Sequence, residues 1–276
     1  MLLNLNLKIN MPRTSQDAIT NTFALLLVGN PKVGKTRVVT SFPDVYVLDL
    51  DKNINSAVAV AGTRKFWYDY VDVDDQNKPI EPEKQWLRLI ELFEKAMVNP
   101  QYKTIAIDSI TRLDEISKNY ILGELRRAGV KLRSDTIDDQ LRITDYETHK
   151  KQFLRTLAKA RACGKYVVWT SHQVYKENEL TETPEYILSI SGALKATFGG
   201  YFTDVWGMQA KEAAQMVGGK AVMSTKYTIR TKPTNGFVAL GSSIKAPAEI
   251  DITDKTQEQI WQIIEPFINL PAKPSQ

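Results

Sequence analysis

The chain has 276 residues, 43% of them hydrophobic and 25% charged, a balance that suits a folded domain with a sizeable core and excludes fibrous and disordered classes. Its net charge of +4 permits a nucleic-acid partner without requiring one. One cysteine, Cys163, and two histidines, His149 and His172, exclude an intramolecular disulfide, argue against a structural zinc site and fit a reducing cytoplasm.

The opening LNLNLKIN alternates Leu3, Leu5, Leu7 and Ile9 with polar residues. That pattern predicts a strand or arm over residues 1–20 rather than a signal peptide. It either completes the chain's own sheet or adds an edge strand to an adjacent subunit. TFALLLV and DVYVLDL read as buried strands, separated by GNPKVGKT and a short helix from about Lys35 to Ser41. EPEKQWLRLIELFEKAM predicts an amphipathic helix, with Trp86, Ile90 and Phe93 at spacings of four and three. KTIAID is a third buried strand, followed by a helix over ITRLDEISKNYILGELRR. A polar stretch then leads to a helix over DYETHKKQFLRTLAKARA and a fourth strand, KYVVWTS.

Beyond Ser171, HQVYKENELTETPEYILSIS reads as a long polar connection and GALKATFGGYFTDVWGM as a return to the core. QMVGGKAV predicts a hairpin turn, with AVMSTKYTIRTK as the returning strand. TQEQIWQII is a terminal helix with Thr256 and Gln259 at capping-box spacing. Apolar strands alternating with helices predict an α/β core over residues 21–270, with a mostly parallel sheet, helices on its faces and a C-terminal β-hairpin region. Residues 271–276 are expected to form a loose tail, and no apolar run is long enough to span a bilayer.

Gly29, Gly34, Lys35 and Thr36 fit G-x-x-x-x-G-K-[ST], placed between a strand and a helix. Glycines let backbone N–H groups turn inward around phosphates; Lys35 is expected to reach the β and γ phosphates and Thr36 to bind Mg²⁺. Gly29, Asn30, Pro31, Lys32, Val33, Gly34, Lys35, Thr36 and Arg37 are thus the expected nucleotide-binding segment. Asp108, ending TIAID, is the candidate for the metal's water shell, its alternative being a cap on the next helix. A glutamate after it would suggest the AAA+ type, but Ser109 stands there, so a hydrolytic base must come from elsewhere. Asp49 and Asp51, two residues apart at the end of VYVLDLD, offer one, with Asp51 favoured to orient the attacking water.

Several pieces taken in order resemble the RecA family of recombination ATPases, over roughly residues 20–235. IAIDSITRL looks like that family's Walker B strand, VLDLD like its strand ending in a catalytic carboxylate, and GALKATFGGYFTDVW like the segment after its second DNA-binding loop. VVWTSHQ resembles the strand ending in a γ-phosphate sensor, which implies Gln173, or alternatively His172, in that role. TIRTK falls where the family carries a basic pair reaching a neighbour's ATP, which implies Arg230 and Lys232. Within the family the chain looks most like small phage-encoded RecA-like ATPases linked to single-strand annealing. That implies an ATP- and Mg²⁺-dependent ATPase assembling as a ring or filament on single-stranded DNA, alongside a single-strand-binding protein, in the host cytoplasm. The family's two DNA loops map to about 124–145, where Arg126, Arg127, Lys131 and Arg133 are the candidates for phosphate contact, and 174–192. The second loop carries Glu177, Glu179, Glu182 and Glu185 against Lys176, a poor surface for a polyanion. A nucleotide-gated adaptor, loader or DNA motor is the alternative reading.

Overall fold

The computed structural model describes residues 23–268 except 60, 61, 63, 131–140, 143, 179–182, 218, 219, 233–240 and 243–245. The N-terminal arm, the tail, Lys131 and Arg133 therefore lie outside the described residues. Four wholly buried strands form the centre: β1 (Ala24–Val28), β2 (Val45–Asp49), β4 (Thr104–Asp108) and β5 (Tyr166–Ser171). Their continuous apolar runs suit parallel strands covered on both faces. An edge strand β3 (Trp67–Asp69) pairs in parallel with β2, and β8 (Asp204–Val217) starts parallel to β1. Across the sheet the order is β8-β1-β5-β4-β2-β3, so β5 lies between the strand that leads into GNPKVGKT and the strand that ends in Asp108.

Period-2 alternation sorts the side chains into two layers. Leu26, Ile105, Ile107 and Trp169 face one core, which also takes Leu89 and Phe93 of α3 (Gln85–Val98), Leu113 of α4 (Ile110–Arg127) and Phe153 of α5 (Asp145–Ala162). Leu25, Leu27, Ala106 and Val168 face the other, shared with Val38 of α1 (Lys35–Val39), Ile54 just before α2 (Asn55–Val58) and Ile260 of α7 (Gln257–Ile264). The α7 capping box forms as its spacing predicts: Gln259 N donates to Thr256 Oγ1 at 3.2 Å and Thr256 N to Gln259 Oε1 at 2.9 Å. Such a cap stabilises a helix by about 1 kcal/mol.

The expected C-terminal hairpin is present and long, with β8 antiparallel to β9 (Lys220–Arg230) from Gly207–Arg230 out to Val217–Lys220. Two short strands, β10 (Gly241–Ser242) and β11 (Glu249–Asp251), pair with β8 and β9 respectively. In place of the expected polar connection after Ser171, β6 (Gln173–Asn178) and β7 (Thr183–Leu188) form a separate two-stranded ribbon, leading to the short helix α6 (Leu194–Thr197). Tyr175 and Tyr186 are cross-strand partners in it, ring centroids 5.9 Å apart. Cross-strand aromatic pairs of this kind hold a ribbon together.

Candidate functional site

The site lies at the carboxyl ends of the central strands, where ligands of open α/β sheets bind. The loop itself fixes why two glycines are needed. A Cβ on Gly29 would sit 2.7 Å from the Met208 carbonyl and 2.9 Å from Val33 Cγ2, and Gly34 takes φ 90°. Both requirements exclude larger residues. The Val33 side chain joins the core under the loop, so only its backbone is left for a phosphate. Pro31, Lys32, Arg37, Thr36 and Lys35 line a cavity of 520 Å³, a size suited to a nucleotide.

Lys35 Nζ donates to the carbonyls of Gly29 at 2.9 Å and Asn30 at 2.8 Å and lies 3.2 Å from His172 Nδ1. Burial pushes its pKa down to about 8, against the opposing pull of Asp108 and Asp51. Thr36 Oγ1 donates to Asp108 Oδ2 at 2.5 Å, and Thr170 Oγ1 donates to the other carboxylate oxygen, Oδ1. Burial raises the pKa of Asp108, partly offset by the two hydroxyl donors. Asp108 is thus joined directly to the loop's Thr36. Both carboxylate oxygens are met by hydroxyls of elements other than α4, and Ser109 gives that helix no side-chain cap.

The paired-carboxylate expectation needs correction. Strand β2 stops at Asp49, and the chain turns as the amides of Leu50 and Asp51 both donate to the Asp108 carbonyl, at 2.7 and 3.2 Å. Asp49 and Asp51 therefore do not share one side of an extended chain. Asp49 instead accepts from the amides of Asn53 at 3.1 Å and Ile54 at 3.0 Å, and burial lifts its pKa to about 6. Asp51 lines the cavity, its Oδ2 3.0 Å from His172 Nε2. Burial alone would raise its pKa, but His172 and Lys35 outweigh that and hold it below the usual carboxylate range.

His172 thus bridges Lys35 and Asp51, whereas Gln173 lies outside the cavity lining and donates from Nε2 to Asn30 Oδ1 at 3.1 Å. The amide of His172 donates to Thr111 Oγ1 at 3.0 Å, and one turn along α4 Asp114 holds Ser191. Ser191 N reaches Asp114 Oδ1 at 3.0 Å and Ser191 Oγ reaches Oδ2 at 2.9 Å. The same carboxylate meets Lys118 at 2.6 Å and buried His149 at 3.1 Å. Both ends of the β6–β7 ribbon are thereby tied to the helix that follows Asp108.

Arg230 and Lys232 do not line this cavity. Strand β9 ends at Arg230, so Lys232 lies past it, and Lys226 meets Glu249 and Asp251 of β11 at 3.5 and 3.6 Å. Thr228, between Lys226 and Arg230 on β9, is buried. Arg126 pairs with Glu83 and Arg127 with Glu124, each at 2.6 Å. Sequence reasoning missed Thr170, whose signal is a hydroxyl residue near the end of an apolar run, and Tyr227 with Ile252, which line the cavity from β9 and just past β11. Nothing in the sequence brings those two strands beside the loop.

Strand order, glycine loop and the Lys35–Thr36–Asp108 cluster together define a P-loop nucleoside-triphosphatase domain of α/β, RecA-like architecture. Residues 22–242 match the AAA domain family AAA_24, and the chain belongs to that family, although Ser109 rather than glutamate follows Asp108. No curated protein matches the sequence. Among solved structures, a KaiC-like protein from the hyperthermophilic archaeon Pyrococcus horikoshii is similar at 11% identity and TM-score 0.36, covering 76% of this chain and 78% of that one. Among the described residues no helix is long and apolar enough to cross a membrane.

Proposed function

We propose that the chain binds Mg²⁺–ATP at this loop and hydrolyses it, with a second copy completing the site. The observation that carries the reading is the convergence of Lys35, Thr36, Asp51, Asp108 and His172 on one 520 Å³ cavity. A Thr36 hydroxyl and an Asp108 carboxylate are hard oxygen donors of the kind Mg²⁺ takes together with phosphate oxygens. Bound there, Mg²⁺ would neutralise charge on the phosphates. Lys35 is placed to bind phosphate, and Asp51, kept ionised by His172, to orient a water and accept its proton. Stacking on Tyr227 and contact with Ile252 offer the base an apolar end of the same cavity. Arg230 and Lys232, lying off this chain's own cavity, are assigned to a neighbour's phosphates, as the RecA resemblance implies.

The work of that hydrolysis is read from the same resemblance: assembly on single-stranded DNA and annealing or recombination, in a phage-encoded setting with a single-strand-binding protein. Lys151 and Arg155 stand exposed on α5 as further cations for such a strand. A second reading, a nucleotide-gated adaptor or loader, is favoured by the ion pairs of Arg126 and Arg127 and by Glu177 and Glu185 in the β6–β7 ribbon. ATPase rate and particle size, each with and without single-stranded oligonucleotide, separate the two. Stimulation with ring or filament formation supports the first; ATP-dependent oligomers indifferent to DNA support the second; absence of ATP turnover with or without DNA overturns both.

A further inference from the structure

We propose that Thr170 is a positioning residue for the metal-shell carboxylate: its hydroxyl sets the rotation of Asp108. The inference rests on reading the loop as a Mg²⁺–nucleotide site. Strand β5 alternates Val167 and Trp169 toward one core with Tyr166 and Val168 toward the other, so Thr170 falls on the face of α1 and the loop. That face is apolar up to Val168, and a valine at 170 would continue it without a change in shape. The hydroxyl is there at some cost: Thr170 is fully buried, and its Oγ1 is spent on Asp108 Oδ1.

Each oxygen of Asp108 therefore has one threonine donor, from two different elements. The Thr36 oxygen has a second task as a metal ligand, whereas Thr170 has the carboxylate alone. A carboxylate fixed on both sides cannot rotate about its Cβ–Cγ bond, and a metal's water shell demands such a fixed acceptor because near-octahedral geometry tolerates little error. Removing the Thr170 donor leaves a buried Oδ1 unsatisfied and the plane of the carboxylate free to turn.

The test compares Thr170→Val and Thr170→Ser with wild type, using a fluorescent ATP analogue titrated first in EDTA and then against Mg²⁺, with melting temperature followed in parallel. Thr170→Val is expected to bind the analogue in EDTA as wild type does but to need about tenfold more Mg²⁺ for half of the metal-dependent gain in affinity and melting temperature, the size of one hydrogen bond to a charged group. Thr170→Ser should restore the wild-type midpoint. A wild-type Mg²⁺ midpoint in Thr170→Val overturns the proposal. So does an affinity loss that is equal with and without Mg²⁺ and is not rescued by serine. If wild type itself binds the analogue with no response to Mg²⁺, the metal reading of the site fails, and this proposal falls with it.

Discussion

Replacing Asp114 with asparagine tests how firmly the β6–β7 ribbon is tied to α4. The carboxylate is 4% exposed and takes four partners: Ser191 N and His149 on Oδ1, Ser191 Oγ and Lys118 on Oδ2. An amide keeps one acceptor and points an NH₂ group at the donors on the other side, leaving Lys118 beside a second donor. Burial alone would raise the pKa of Asp114, but His149, Lys118 and the Ser191 amide hold it down at about 2. Against an ordinary value of 3.8, that gap contributes about 2 to 3 kcal/mol of stability at neutral pH. Breaking a buried pair by removing one partner costs about 3 kcal/mol by an independent route.

Asp114→Asn should therefore lose about 2 to 3 kcal/mol in urea unfolding at pH 7 and melt about 5–10 °C lower. A carboxyl whose folded pKa is depressed contributes fully above its unfolded value and loses the contribution as pH falls through the folded one. The gap between wild type and variant should accordingly hold down to about pH 4 and close only toward pH 2. A gap below about 0.5 kcal/mol at pH 7, or one that closes well above pH 4, would refute the reasoning.

Three further outcomes are expected at the site. Lys35→Ala should abolish ATP turnover, measured as phosphate release by the purified variant, since Lys35 Nζ is held at the loop by the carbonyls of Gly29 and Asn30. Arg230→Ala should impair hydrolysis while sparing nucleotide binding by fluorescence titration; equal loss of binding would argue against action on a neighbour. Tyr227→Ala should weaken nucleotide affinity about tenfold, whereas Tyr227→Phe keeps it, because the ring face and not the hydroxyl is what a stacked base needs. An unchanged Tyr227→Ala would place the base elsewhere.

The sequence carried the centre of the fold because β1, β2, β4 and β5 are buried on both faces, and continuous apolar runs such as ALLLV and YVVWTS have few other uses. It did not carry β3, β10 or β11, each two or three residues long and held by pairing across distant parts of the chain. The loop and Asp108 were legible because their spacing is local. Choosing between Asp49 and Asp51 was not, since it depends on where β2 stops and on backbone bonds from Leu50 and Asp51 to a carbonyl 57 or more positions away. The same holds for His172 against Gln173: strand alternation names a face, but only the placement of the segments that follow β1 and β2 decides which side chain meets Lys35 and Asp51. The ribbon was hidden because its apolar residues, Val174 and Tyr175 on β6 and Tyr186, Ile187 and Leu188 on β7, fall in adjacent runs rather than in the alternation that a period-2 reading needs.

Strand β5 has a consequence for timing. In six residues it presents Trp169 to one core, Val168 to the other, Thr170 to Asp108, and a Ser171 carbonyl that accepts the Gly29 amide at 3.2 Å. One residue later the central sheet ends and a ribbon that pairs only with itself begins. Amides on the β5 side are expected to open only with the whole molecule and those of the ribbon locally, so hydrogen exchange should change from slow to fast across this single junction. His172 sits on that boundary, between the last residue of the central sheet's β5 and the first residue of the ribbon.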